Sequence, residues 1–296
     1  MSSFHEQMSV FKDFWRIVCI SDTHNLYKSI KDLPEGDILI HAGDFSNTGL
    51  WPEVEKFRQF IEQQPHKYKI FIAGNHDITI HKSFYVTDAG HKYFHGSNYR
   101  KGQGSLDGYS PEDYSDRCID ILRNGTDVYK ESIPEQAERT DIVQYLEDEI
   151  YDLPGGLRVY GSPWQPAFCD WAFNVEIPNI KPYWDKIPGD VDILITHGPP
   201  HGILDANNTG FHCGCPELRE QMNTQRIRPR LHIFGHIHEG YGVHEQDGIV
   251  FVNASTCTAR YNPINPAIVI DLPFDRNQPA RIVAVGENID NPQKRQ

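Results

Sequence analysis

Asp37-Ile-Leu-Ile-His-Ala-Gly-Asp44 is the stretch on which the fold turns. A short apolar run without polar alternation suits a strand covered on both faces. This one stops on Gly43-Asp44. Arg16-Ile-Val-Cys-Ile-Ser21 before it and Tyr68-Lys-Ile-Phe-Ile-Ala-Gly74 after it repeat the pattern. Between the second and third runs, residues 52–64 open on Pro52 and place Val54, Phe57, Phe60 and Ile61 on one helical face. Strand, helix, strand at this spacing predicts a parallel βαβ unit and an α/β fold.

Working outward, apolar runs recur at 191–197 and 230–236, on either side of a helix-like 216–225. An Asp247-Gly248 turn between 240–244 and 249–254 predicts a hairpin. Residues 267–272 and 281–285 read as closing strands. The middle is weaker. A loop is expected over 90–108, a helix over 111–123, a polar segment to about 140, and a hairpin of 145–153 with 157–161 across Pro154-Gly-Gly156. The chain is accordingly read as one domain, 1–296, with a core of about 15–78 and 142–286 and an inserted segment of about 79–141.

Composition narrows the function. There are 28 basic against 41 acidic residues, a net charge of −13, which argues against long nucleic acids and anionic lipid as partners. No apolar run is long enough to span a membrane. Residues 1–14 carry no signal-peptide hydrophobic stretch. Six cysteines are too sparse for a disulfide scaffold and read as reduced thiols, so a soluble cytoplasmic protein is expected. The 15 histidines are the unusual feature.

Several of those histidines end strands. Asp22 and His24 follow the first run, Asp44 the second, and Asn75, His76 and Asp77 the third; His197 ends a fourth, His236 and His238 a fifth. In open α/β sheets the crevice beyond the carboxyl ends of the strands is where ligands bind. A mixture of carboxylate, imidazole and amide oxygen suits Mn, Fe or Zn better than Ca or Mg. Asp22/His24 and His236/His238 are i, i+2 pairs, which in extended backbone share a face. By the same argument Asn75 and His76 point opposite ways, so that if Asn75 holds a metal, His76 faces something else. Glycines precede Asp44, Asn75 and His236, where backbone must clear a ligand.

This ordered series resembles the calcineurin-like metallophosphoesterase superfamily. Further resembling segments are His41-Ala-Gly-Asp-Phe45, Tyr160-Gly-Ser-Pro-Trp-Gln-Pro166, residues 196–204, Phe234-Gly-His-Ile-His-Glu-Gly-Tyr-Gly242 and Asn253-Ala-Ser-Thr-Cys257. They are closer still to its metallophosphoesterase-domain-containing group, described as class III cyclic-nucleotide-phosphodiesterase-like. The resemblance covers most of the chain outside about 79–141. It implies a four-layer αββα sandwich with two mixed β-sheets. It also implies two divalent cations, Mn or Fe/Zn/Mn mixtures, with Asp22, His24 and His238 on one, Asn75, His197 and His236 on the other, and Asp44 bridging them. His76 would sit beside the substrate as the catalytic acid. Some members of the group replace the last histidine of the Gly-His-x-His motif by glycine; here His238 is present.

The implied reaction is hydrolysis of small phosphodiesters, cyclic nucleotides among them, by a metal-bound hydroxide, without a covalent enzyme intermediate. Phosphomonoesterase or nuclease activity on the same site is the alternative within the enzyme class. A non-catalytic interaction module is the alternative outside it, and eroded ligands would mark it. Asp77 and His41 are candidates for orienting ligands from behind, against plain turn or packing roles. His201, His212 and His232 have no assigned role. Cys213-Gly-Cys215 reads as structural, and Arg226, Arg228 and Arg230 as a solvated basic face. Trp164, Phe168, Trp171 and Phe173 form either core or the wall of a base-binding cleft, core being the stronger expectation.

Overall fold

The computed structural model describes residues 12–30, 33–96, 108–126 and 141–285. Its first half runs β1 (Phe14–Ile20), β2 (Ile38–Ala42), α1 (Trp51–Glu62), β3 (Tyr68–Ile72), the single turn α2 (Lys82–Tyr85), α3 (Pro111–Asn124) and β4 (Ile142–Tyr145). The second half runs β5 (Glu149–Leu153), β6 (Leu157–Ser162), the short pair β7 (Gln165–Pro166) and β8 (Asn174–Val175), α4 (Ile177–Trp184), β9 (Ile193–Thr196), α5 (Pro216–Asn223), β10 (Leu231–Phe234), β11 (Gly242–Gln246), β12 (Ile249–Asn253), β13 (Ile268–Pro273) and β14 (Arg281–Ala284).

Two mixed six-stranded sheets result, in the orders β14-β13-β1-β2-β3-β4 and β11-β12-β10-β9-β6-β5. Strands β1 to β4 are parallel, as are β6, β9, β10 and β12, with antiparallel strands at the edges. Strand alternation sorts the side chains into layers. Ile17, Cys19, Ile38, Ile40, Ile70 and Ile72 meet Val159, Ile193, Ile195, Leu231 and Ile233 between the sheets. Val18, Leu39 and Phe71 face the other way, onto Val54 and Phe57 of α1 and Cys118 and Leu122 of α3. Leu194, Phe234 and Phe251 face Ile180 and Trp184 of α4 and Leu218 of α5. The architecture is therefore the expected four-layer sandwich. It directs the carboxyl ends of β1, β2, β3, β9, β10 and β12 to one rim.

Three local readings are corrected. Tyr145 ends β4 in the first sheet, whereas the hairpin is β5 with β6 in the second; the chain crosses between sheets at 146–148, where Asp148 has φ 55°. The loop expected from residue 90 onward is helical over 88–96, because Thr87 accepts a hydrogen bond from the Gly90 amide and Phe94 and His95 pack inward. Residues 97–107 and the polar segment 127–140 lie outside the described residues. The basic strip is not simply a solvated face: Arg226 donates to the carbonyls of Ile187 and Trp184, and Arg230 to those of Pro273 and Gln278. No helix among the described residues is long and apolar enough to cross a membrane.

Candidate metal centre

The rim is built from turns in which the backbone leaves the strand. Asp22, His24, Asp44 and His236 have φ of 50°, 41°, 56° and 66°. The extended-backbone account of the i, i+2 pairs therefore fails: left-handed residues, not pleat alternation, aim these side chains inward. Each such conformation costs on the order of 1–3 kcal/mol and clusters where function needs it. Asn75 and His76 occupy a turn, so they do not point opposite ways as predicted for a strand. Both look into the site. Close packing explains the glycines. A Cβ on Gly74 would overlap Asp44 Oδ1 and stand 2.6 Å from His197 Cε1, and one on Gly235 would overlap the Asp22 carboxylate. Gly43 has φ +98°, and a Cβ there would meet His197 Nδ1 at 2.6 Å.

The eight predicted residues converge. Three overlapping groups have ligand atoms within 4.8 Å of one another: Asp22, His24 and His238; Asp44, His197 and His236; and His24, Asp44 and His76. His197 Nε2 lies 3.0 Å from Asn75 Oδ1 and 3.3 Å from Asp44 Oδ2. His238 Nε2 lies 3.2 Å from Asp22 Oδ1 and 3.3 Å from His24 Nε2. Asp44 stands between the groups, with His24 at 3.9 Å and His76 at 4.0 Å from its Oδ2. The His24 side chain is 1% exposed and that of His76 15%, so His76 is on the solvent side.

The far sides of the rings are fixed. His197 Nδ1 is 2.9 Å from the Ala42 carbonyl, His238 Nδ1 3.0 Å from that of Thr258, and His76 Nδ1 2.9 Å from that of Asn47. A carbonyl requires Nδ1–H, which at His197 and His238 leaves the Nε2 lone pair of the neutral ring facing the site, the arrangement that holds a metal-binding imidazole in its tautomer. With donors of two carboxylates, imidazoles and an amide oxygen, the chemistry of the site fits divalent cations.

Burial pushes both carboxyls up, but the imidazoles outweigh it: His238 and His197 hold Asp22 low, and His197, His76 and His24 hold Asp44 low. Conversely, burial lowers His197 and His238, yet Asp44 and Asp22 raise them to about 9 each. Burial wins at His24, held at about 4, and at His236, about 3. Cation binding at such a site displaces protons, so affinity rises with pH.

Asp77 and His41 stand behind the candidate ligands. Asp77 accepts hydrogen bonds from the amides of Gly74 (2.8 Å), Asp44 (3.1 Å) and Ser46 (3.0 Å) and from Ser46 Oγ (2.6 Å), tying two ligand turns together. Burial and the charge of Asp44 raise it to about 8, against those hydrogen bonds. His41 accepts from the Gly43 amide and lies 2.9 Å from Thr23 Oγ1. Residues without a predicted role also take part. Ser255 Oγ lies 3.0 Å from Asp22 Oδ2 and 2.8 Å from Asn253 Oδ1, so its one proton is shared between these two acceptors. Their signal was available: 249–254 is another strand ending in a polar cluster. Tyr261 lies 4.8 Å from His24, and Trp171 4.2 Å from His76, ring to ring. The aromatic set divides: Phe173 is core, Phe168 is exposed, and Trp171 alone touches a candidate site residue. Cys215 caps α5 by accepting from the Leu218 amide, the structural role expected of it. His212 pairs with Asp205 at 2.6 Å, and His232 is buried beside Thr196 Oγ1 at 2.8 Å.

Comparison with known proteins agrees with this geometry. A family model described as calcineurin-like phosphoesterase matches residues 16–240. Metallophosphoesterase domain-containing protein 1 of Homo sapiens is 41% identical over 266 residues, 89% of this chain and 73% of that protein. UPF0046 protein T07D4.2 of Caenorhabditis elegans is 34% identical over 265 residues, 88% of this chain and 61% of that protein. A solved crystal structure superposes with a TM-score of 0.54 over 92% of this chain and 100% of its own at 12% identity, a likeness of fold alone. The match runs from the first strand through the turn that carries His238: this chain belongs to the calcineurin-like phosphoesterase family.

Proposed function

We propose that the chain is a dinuclear metal-dependent phosphodiesterase acting on small phosphodiesters, cyclic nucleotides included. The observation that carries this reading is the position of Asp44, between an Asp22/His24/His238 group and a His197/His236 group. Asp22, His24 and His238 would hold one cation, Asn75, His197 and His236 the other, with Asp44 shared. Two such cations would supply Lewis acidity toward the phosphoryl oxygens and would lower the pKa of water held there from 15.7 to ~7. The chain's own groups do the rest. Ser255 and the His236 amide hold the Asp22 carboxylate, at 3.0 Å each, and Asp77 holds the Asp44 and Asn75 turns. His76, with its Nδ1–H tied to Asn47, would act as the imidazolium, passing the second proton, on Nε2, to the departing alkoxide and returning to the neutral ring. Such acids contribute typically ~10²–10⁴-fold.

The resemblance of the ordered motifs to the class III cyclic-nucleotide-phosphodiesterase-like group supports a diester. The complete ligand set argues against the non-catalytic module. The test is metal-reconstituted activity on bis(4-nitrophenyl) phosphate against 4-nitrophenyl phosphate, followed by 2′,3′- and 3′,5′-cyclic nucleotides. Faster turnover of the diester and loss of activity in Asp44→Asn are expected. A preferred monoester, or full activity of Asp44→Asn with both metals bound, overturns the assignment.

A further inference from the structure

His76 reaches solvent, yet its ring is held on three sides. His24 packs edge-on at 4.5 Å, the Asn47 carbonyl takes Nδ1 at 2.9 Å, and the indole of Trp171 covers a face at 4.2 Å with 42° between the planes. Trp171 is itself anchored to the same turn. The neighbouring Ala172 amide donates to the carbonyl of Asn75 at 3.3 Å, and the Phe173 amide to His81 Nδ1 at 2.9 Å. Phe173 takes a left-handed φ of 54° where this segment turns into the core.

The outer side of the indole is met by Phe94, edge to face at 4.9 Å. Phe94 comes from the helical 88–96. The next residue, His95, is buried, bridges Tyr85 Oη (2.9 Å) and the Thr48 carbonyl (3.0 Å), and so grips the carbonyl next to the one that His76 uses. One short helical segment thus touches both supports of His76: the indole through Phe94 and the 47–48 loop through His95.

From this juxtaposition we propose that Trp171, held by Phe94, is a positioning residue that fixes the His76 ring where Nε2 meets the leaving oxygen. The inference rests on the reading of His76 as the acid. A misplacement of about 1 Å at a reacting group can cost ~10²-fold, so a face contact on an otherwise accessible ring is a lever on rate.

The test uses the full chain loaded with Mn²⁺ and two diesters, bis(4-nitrophenyl) phosphate and diphenyl phosphate, whose leaving phenolate is the more basic. Trp171→Ala should lose about tenfold or more on diphenyl phosphate and under about threefold on the nitrophenyl ester, within the ~10²–10⁴ that a general acid supplies. Trp171→Phe should recover most of the loss, Phe94→Ala should show a smaller loss of the same kind, and both metals should stay bound. His76→Ala/Trp171→Ala should be no slower than His76→Ala alone. Selective loss in His76→Ala with equal losses on the two esters in both Trp171→Ala and Phe94→Ala overturns the positioning role alone, as does a double variant whose losses multiply. Equal losses on both esters in His76→Ala overturn the acid role, and the positioning role with it. Phe94→Ala changes a partly exposed ring, so it reports even if Trp171→Ala folds poorly.

Discussion

Single atoms decide the site. Gly74 has no side chain, and the space where a Cβ would stand belongs to Asp44 Oδ1 and His197 Cε1. Because its φ lies outside the left-handed region, an alanine there is barred by crowding and not by backbone conformation. Gly74→Ala must push the shared carboxylate and a histidine apart while the strands below stay paired. Its amide also donates to Asp77 at 2.8 Å, so displacement loosens the clamp on the Asp44 turn. The expected outcome is a folded protein with reduced metal content and activity down by about 10²-fold, in line with the cost of misplacing reacting groups by about 1 Å. Metal analysis together with near-ultraviolet circular dichroism checks it. Normal metal content with normal rate would show that the cradle tolerates a methyl group.

At the scale of elements, some features were legible and others not. Ile38–Ala42 and Tyr68–Ile72 are buried on both faces, so their apolar runs report the sheet directly. His197 and His236 follow such runs, which is why the site was readable as a set of strand ends. The ring directions were not readable: they depend on left-handed residues at Asp22, His24 and His236, and no periodicity encodes a single dihedral angle. The helical 88–96 was equally hidden, because its order comes from tertiary partners. His95 is the clearest of these. Burial holds it at about 4, below the ordinary histidine value of 6.5, against the pull of its Thr48 hydrogen bond, while nearby His91 lowers it further. The folded state therefore binds this proton less well than the unfolded state. The contribution of His95 to stability is full above about pH 6.5 and falls as pH drops toward about 4, with a slope of about 1.4 kcal/mol per pH unit for one proton. Urea unfolding of the wild type and His95→Gln between these pH values should show slopes that differ by about that amount. Parallel curves would remove His95 from the acid response.

For the molecule as a whole, each proposed cation takes ligands from both sheets. Asp22 and His24 follow β1, and His238 lies in the turn after β10; Asp44 and Asn75 follow β2 and β3, and His197 and His236 follow β9 and β10. The protein already links the sheets there through the Ser21–Ser255 bridge, the Thr256 amide on the Ser21 carbonyl at 2.8 Å, His197 Nδ1 on the Ala42 carbonyl at 2.9 Å and the His236 amide on Asp22 at 3.0 Å. Cations would cross-link the sheets where the central core gives way to polar turns, and would offset two buried carboxylates in a chain of net charge −13. A ligand at a hundred times its Kd adds about 2.7 kcal/mol to the folded state. At about 2–4 °C per kcal/mol in domains of 150–250 residues, that is about 5–10 °C of Tm per site. Chelation should therefore lower the Tm by several degrees, and Mn²⁺ should restore it. His238→Gly should show a smaller restoration, because one of the two ligand groups is then incomplete. Identical melting with and without chelator, on protein shown by metal analysis to differ in content, would mean that the sheets hold together without the cations and that the ligand turns serve chemistry alone.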